Sequence, residues 1–444
     1  VGYAKLGKKY RVRLANSAQK MTIPRLRHIL FPIVLATFAL GGLEASGGWV
    51  IPARWVLTGC LAIYVLTSSA ALKHVNSLIL TVLLLYASWC LTTYIWSQAP
   101  QLTLLKAGGL LLVMFSMLLA GQDWADRHRL STMPRFMGLV LLVAFFAGLS
   151  NPSGFSEFSA DRQLYRGATG NPNFMAVLAA TAMVPAFWYV YRFQARPFLA
   201  NFWRVAVLAL LVPLYLTNSR AGLLIFLCIF ASFEIAKGLA RNAFKVFIGF
   251  LAVLLMAVAM PDLREAFIKR NVYKESDSSS SIFYSRSEAW KDSYEAANKG
   301  GWLGAGYGVS IGANAFAGGL TAVGYGREKG NTQLAIVEET GVVGLILYLS
   351  ALGLMFRELI TSFMGSSNLD AKVLLALLTG ALMGLTVQSF FEAWWVAPGS
   401  LESALFWSMM GVALGLARRI RQDTAEVSRW REYKRWAARR QPVI

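Results

Sequence analysis

An all-α, polytopic membrane fold is the architecture expected of this chain, on three grounds. Hydrophobic residues make up 56% of the 444 residues against 15% charged, with a mean hydropathy of +0.50. The charges lie between apolar blocks rather than alternating with apolar residues. Many of those blocks approach the roughly 20 residues that an α-helix needs to cross a bilayer. Barrel strands would instead show short alternating runs.

About twelve spans follow from the apolar runs, near 29–44, 50–70, 75–97, 102–121, 135–150, 172–192, 203–218, 220–237, 243–261, 334–356, 372–391 and 400–417. An even count puts both ends on one side. The net charge of +20 is distributed accordingly, with eight Lys/Arg in residues 1–28 and nine in residues 418–444. The short loops on the same predicted side bring the total to 29 of 43 basic residues. This is the positive-inside pattern, and it reads the basic tails as topology signals and contacts for anionic headgroups, not as a nucleic-acid surface. Opposite them, outside the long loop, stand only Arg54, Lys106, Arg162, Arg166 and Arg220. Residues 1–27 do not read as a cleavable leader, because the basic part is long and no small-residue cleavage site follows. Cys60, Cys90 and Cys228 lie inside apolar runs without metal or disulfide spacing, and read as packing residues.

The whole chain, 1–444, reads as a single membrane domain. Residues 261–331 form a polar cap loop between the ninth and tenth spans, facing away from the basic tails. The loop holds eight of the 23 carboxylates. Ser278–Ser281 lead into a helix signal in which Phe283, Trp290, Tyr294 and Ala297 form one stripe. Arg286 lies on that stripe too, where a guanidinium needs an anion, either a protein carboxylate or a ligand phosphate. Ten glycines between 300 and 326 match neither a Walker loop nor a dinucleotide fingerprint. They predict a mobile, close-packing loop.

Two further stretches suit anions. In Leu216-Thr-Asn-Ser-Arg-Ala-Gly222, Ser219 is a natural N-cap for the eighth span and puts Arg220 in its first turn. A cation there opposes the helix dipole unless an anion sits between the guanidinium and the free N–H groups. The alternative is an Arg reaching for the interface. In Arg166-Gly-Ala-Thr-Gly-Asn-Pro-Asn173, Asn171 caps the sixth span and Pro172 takes its first position. Arg166, Asn171 and Asn173 are therefore candidates for phosphate or sugar contact, or simply a capped turn.

Asn331 caps the tenth span, and Glu338 and Glu339 follow about two turns later in an apolar helix. Carboxylates there are used or paired. Glu338 is a candidate general base, or one half of a structural pair with Arg220 or Arg286. Lys106, Glu392 and Glu402 also fall near outer span ends. His28, His74 and His128 all fall on the tail side, so no histidine serves the cap side.

These residues resemble the O-antigen ligase/polymerase superfamily (WaaL- and Wzy-like). The likeness rests on the span count, the loop position, Gly170-Asn-Pro-Asn173, Asn218-Ser-Arg220-Ala-Gly222, Arg286-xxx-Trp290 and Gly301-Trp-Leu-Gly-Ala-Gly306. The run Asn331-xx-Leu334-xxx-Glu338-xx-Gly341-xx-Gly344 completes it. The resemblance implies a metal-independent, inverting glycosyltransferase without cofactor, multi-pass in the bacterial inner membrane. Both termini would be cytoplasmic and the site periplasmic. It implies an undecaprenyl-pyrophosphate-linked glycan as donor, a glycan or lipid acceptor, and a chain-length regulator as partner. Arg220 and Arg286 would hold the pyrophosphate, with Lys106, Arg166, Asn171, Asn173, Ser219, Trp290, Tyr294 and Asn331 lining the substrate. Ligases of the superfamily carry a His just before the residue matching Asn331, whereas this chain has Gly330. That departure favours a polymerase of lipid-linked repeat units over a lipid A–core ligase. A flippase is the alternative from another class.

Overall fold

The computed structural model describes residues 25–67, 76–159, 162–238, 284–311 and 329–439. Its helices are α1 (Arg25–Leu40), α2 (Val50–Thr67), α3 (Ser77–Thr92), α4 (Pro100–Arg127), α5 (Gly138–Leu149), α6 (Pro172–Arg192), α7 (Pro197–Leu216) and α8 (Arg220–Ala236). They continue as α9 (Tyr284–Gly300), α10 (Thr332–Gly365), α11 (Leu369–Gln388) and α12 (Leu401–Arg439). Eleven of the twelve predicted spans fall on helices, and the ninth, 243–261, lies outside the described residues. Seven of the helices (α2 to α4, α6, α7, α10 and α11) have both the length and the apolarity to cross a membrane.

The all-α expectation misses one feature. Phe155–Ser159 (β1) and Arg162–Tyr165 (β2) form an antiparallel hairpin between α5 and α6. The Tyr165 hydroxyl anchors it by donating to the carbonyl of Gly148 at 2.7 Å.

Small residues set the helix spacing, as in membrane bundles generally. A Cβ on Gly121 of α4 would stand 2.7 Å from the Ser408 carbonyl of α12. One on Gly384 of α11 would stand 2.6 Å from Cα of Ile225 in α8. Between α10, α11 and α12, the rings of Tyr348, Trp394, Trp395, Phe406 and Trp407 fill a buried aromatic core. Of the cysteines expected to be packing residues, Cys90 is buried and Cys228 half-buried, but Cys60 is exposed on α2.

Candidate functional site

Three helix N-termini open at one end of the bundle, each capped by the residue the sequence singles out. The Asn171 side chain accepts from the Asn173 N–H at 2.7 Å, Ser219 from Gly222 at 3.4 Å and Asn331 from Leu334 at 2.9 Å. Asn218, at φ 52, turns α7 directly into α8, a conformation that Asn tolerates better than most residues. Gly222 lies against Ala176, which sets the first turn of α8 beside that of α6. The start of α6 is tied to that of α10 through the segment following α11. Asn173 donates to the Glu392 carboxylate at 3.1 Å, Thr332 to the Glu392 carbonyl at 2.8 Å and Asn331 to the Phe390 carbonyl at 3.2 Å. Asn173, Asn331 and Glu392 are thus brought together, and Arg220 sits at the neighbouring helix start.

The helix α9 lies against α10 over this corner. The Trp290 indole donates to the Gly330 carbonyl at 2.9 Å and its ring stacks at a tilt on Phe391, with centroids 5.9 Å apart. The buried face of α9 is Ser293, Ala296 and Ala297. Tyr294, expected on that face, is turned out and 59% exposed. The reason is the closeness of the contact. A Cβ on Gly300 would be 2.6 Å from the Val337 carbonyl, so only small side chains fit between α9 and α10. Arg286 lies four residues before Trp290 in α9. Its side chain, Phe283, Ser278–Ser281 and the glycines from 312 to 326 lie outside the described residues.

Below the corner, α10 is broken at Gly341 (φ 71, ψ −175). Helical hydrogen bonds lost there must be replaced, and the glycine-rich loop after α9 replaces them. Ala305 and Gly306 donate to the carbonyls of Glu338 and Glu339, while Val342 donates to the carbonyl of Gly301. The Trp89 indole takes the Thr340 carbonyl at 2.8 Å. Gly304 (φ 77) passes so near Glu339 and Thr340 that a side chain there would collide with their backbone. The expected mobile loop is, over residues 300–308, a wedge pinned into a helix break.

The break exposes Glu338 and Glu339 to a buried cation that the sequence reading did not name. Lys329 Nζ lies 2.6 Å from Glu339 Oε1, 3.3 Å from Glu338 Oε2 and 2.8 Å from the Val309 carbonyl. The second oxygens accept from backbone, Glu338 from Ile311 N–H and Glu339 from Gly308 N–H, each at 2.7 Å. Both carboxylates are 0% exposed. Beside them burial pushes the Tyr307 phenol well above its ordinary value, so it stays neutral at any physiological pH. Glu338, expected as a base or as a partner of Arg220 or Arg286, is therefore held by Lys329 and the loop backbone. A lysine two residues before a helix cap, nine before a buried carboxylate pair, was the available signal.

Two other expected substrate contacts have protein partners. Arg166 forms an ion pair with Glu44, at the turn between α1 and α2. Lys106, expected at an open span end, is 7% exposed and points its ammonium at the Gly308 carbonyl, 3.4 Å away.

Such geometry defines an α-helical membrane-type bundle with capped helix starts gathered at one end beneath an amphipathic helix. Residues 205–349, about a third of the chain, match the family model described as Wzy_C, O-antigen ligase, and that match supports the resemblance to the O-antigen ligase/polymerase superfamily. The matched stretch runs from α7 into α10 and contains Arg220, Arg286, Asn331 and Glu338. No curated protein matches the chain. Among solved structures it is similar to a chain from work described as "Structural coordination of polymerization and crosslinking by a peptidoglycan synthase complex". Identity is 14% and the TM-score 0.40, over 78% of this chain and 98% of that one. That likeness is too distant to bear on mechanism.

Proposed function

We propose that this protein is an inverting membrane glycosyltransferase that polymerises lipid-linked repeat units of an O-antigen or exopolysaccharide at the periplasmic face of the bacterial inner membrane. The observation that carries the reading is the family match over residues 205–349. That segment contains the capped start of α8 with Arg220, the helix α9 with Arg286 and the capped start of α10. The acceptor hydroxyl attacks the anomeric carbon of a glycan on undecaprenyl pyrophosphate, and the bond from that carbon to the pyrophosphate oxygen breaks. Negative charge grows on the departing diphosphate, which takes up the acceptor's proton. Arg220 and Arg286 hold and neutralise it, and the free N–H groups of the capped helix starts add to the field. Each such preorganised group typically contributes about 3–4 kcal/mol to the transition state. Glu338 is assigned to anchoring the loop in the helix break, so the step uses no separate base.

Ligation onto a lipid or protein acceptor is the second reading, favoured by the ligase description of the matching family. Gly330, where the ligases carry His, favours the first. Purified protein supplied with a lipid-linked oligosaccharide separates them. Longer glycans on the same lipid mean polymerase, and glycan on a new acceptor means ligase. Unchanged glycan chemistry, with transfer across the membrane only, refutes both and means a flippase.

A further inference from the structure

Between α2, α4 and the turn before α12 lies a cavity of about 1040 Å³, at the upper end of the roughly 300–1,000 Å³ usual for small-molecule sites. Its wall is apolar, formed by Ile51, Trp55, Leu104, Leu105, Leu112 and Pro398. Ile51, Leu104 and Leu105 are each more than half exposed, so the cavity opens sideways, where a bilayer would lie. One of the charges facing it, that of Arg54, has no counter-ion among the described residues. The Arg54 guanidinium sits between Gly41 and Gly399, its carbon 4.9 Å from the centre of the Phe38 ring and 5.5 Å from that of Trp55. Its Nε is buried without a hydrogen-bond partner, and no carboxylate among the described residues forms an ion pair with it. The second cation of the lining, Lys106, turns its ammonium to the Gly308 carbonyl.

An apolar trough closed by one guanidinium is complementary to a molecule with fatty chains and a single negative charge. The planar fork of Arg suits two phosphate oxygens, and a guanidinium stripped of water at the edge of hydrocarbon is costly unless it meets an anion. A phosphodiester carries one charge and is matched by Arg54 alone, whereas a diphosphate would leave charge uncompensated. We infer that this groove binds one anionic glycerophospholipid, its phosphodiester on Arg54 and its chains along α2 and α4. Lys106 lines the groove and also reaches the loop held by the Lys329 cluster, so the lipid would brace the wall behind the helix break. The site is independent of the proposed transfer chemistry.

Gly108 allows a test that spares the fold. A Cβ there meets nothing within 4 Å, so Gly108→Leu fills the groove and also improves helix propensity. The full chain is placed in nanodiscs of phosphatidylcholine with phosphatidylglycerol, released into mild detergent and weighed by native mass spectrometry. The wild type should keep one phosphatidylglycerol per chain, preferred over phosphatidylcholine by about ten-fold, as one charge-assisted contact implies. Arg54→Gln should bring that preference close to one, and Gly108→Leu should remove both lipids from the site. Preference unchanged in Arg54→Gln, or lipid retained by Gly108→Leu, overturns the inference. So does displacement of phosphatidylglycerol by an added polyprenyl diphosphate, which would give the groove to the carrier lipid.

Discussion

Replacing Lys329 with Met should unfold the protein far more readily than any surface change. The lysine side chain is 1% exposed and those of Glu338 and Glu339 are 0% exposed, so water cannot stand in for the lost ammonium. Removing one member of a buried ion pair typically costs about 3–5 kcal/mol, because a charge is left without compensation. Here one ammonium serves two carboxylates, at 2.6 and 3.3 Å. The Gly308 and Ile311 N–H groups still support the far oxygens, which holds the loss within that range. The assay is unfolding in mixed micelles followed by helical circular dichroism, with Glu339→Gln and the double variant beside it. The double variant should lose less than the sum of the singles, by about 0.5–3 kcal/mol, as coupled residues do. A Lys329→Met protein within about 0.5 kcal/mol of wild type, the range of ordinary surface substitutions, would refute the cluster's structural role. Strict additivity would refute the pairing.

Three further outcomes follow from the same geometry. Gly341→Ala should destabilise by about 1–3 kcal/mol, because φ 71 disfavours any side chain and the new Cβ would strike the Trp302 carbonyl; a thermal melt reads it directly. Asn331→Ala should cost about 1 kcal/mol through the lost cap on Leu334 N–H, while Asn331→Asp should restore the cap and most of the melting temperature. Arg166→Ala should change stability by less than about 1 kcal/mol, since its pairing with Glu44 is partly solvated. The same variant should leave the glycan product distribution unaltered, which gel analysis of the polymer checks.

Much of this structure was readable from residue order, and the reason is locality. A helix start needs one capping side chain, so Asn171, Ser219 and Asn331 announce themselves beside an apolar run, and Pro172 sharpens the first of them. Long apolar blocks likewise mark helices without knowledge of their neighbours. The buried cluster was only half legible. Two carboxylates in an apolar helix demand a cation, but which one depends on how the chain folds back, and Lys329 is delivered by the segment leading into α10. The break at Gly341 was hidden for a similar reason: its lost hydrogen bonds are recovered from the loop at residues 301–306, earlier in the chain. Tyr294 shows the limit of periodicity, which places a residue on a face but not the clearance that face allows.

The central claim is that Arg220 and Arg286 grip one diphosphate, and the affinity for a polyprenyl diphosphate without its glycan tests it most directly. Arg220→Gln and Arg286→Gln should each weaken binding by about 10- to 150-fold, the worth of a hydrogen bond to a charged group, with melting temperatures near wild type. Wild-type affinity in either variant would contradict the account.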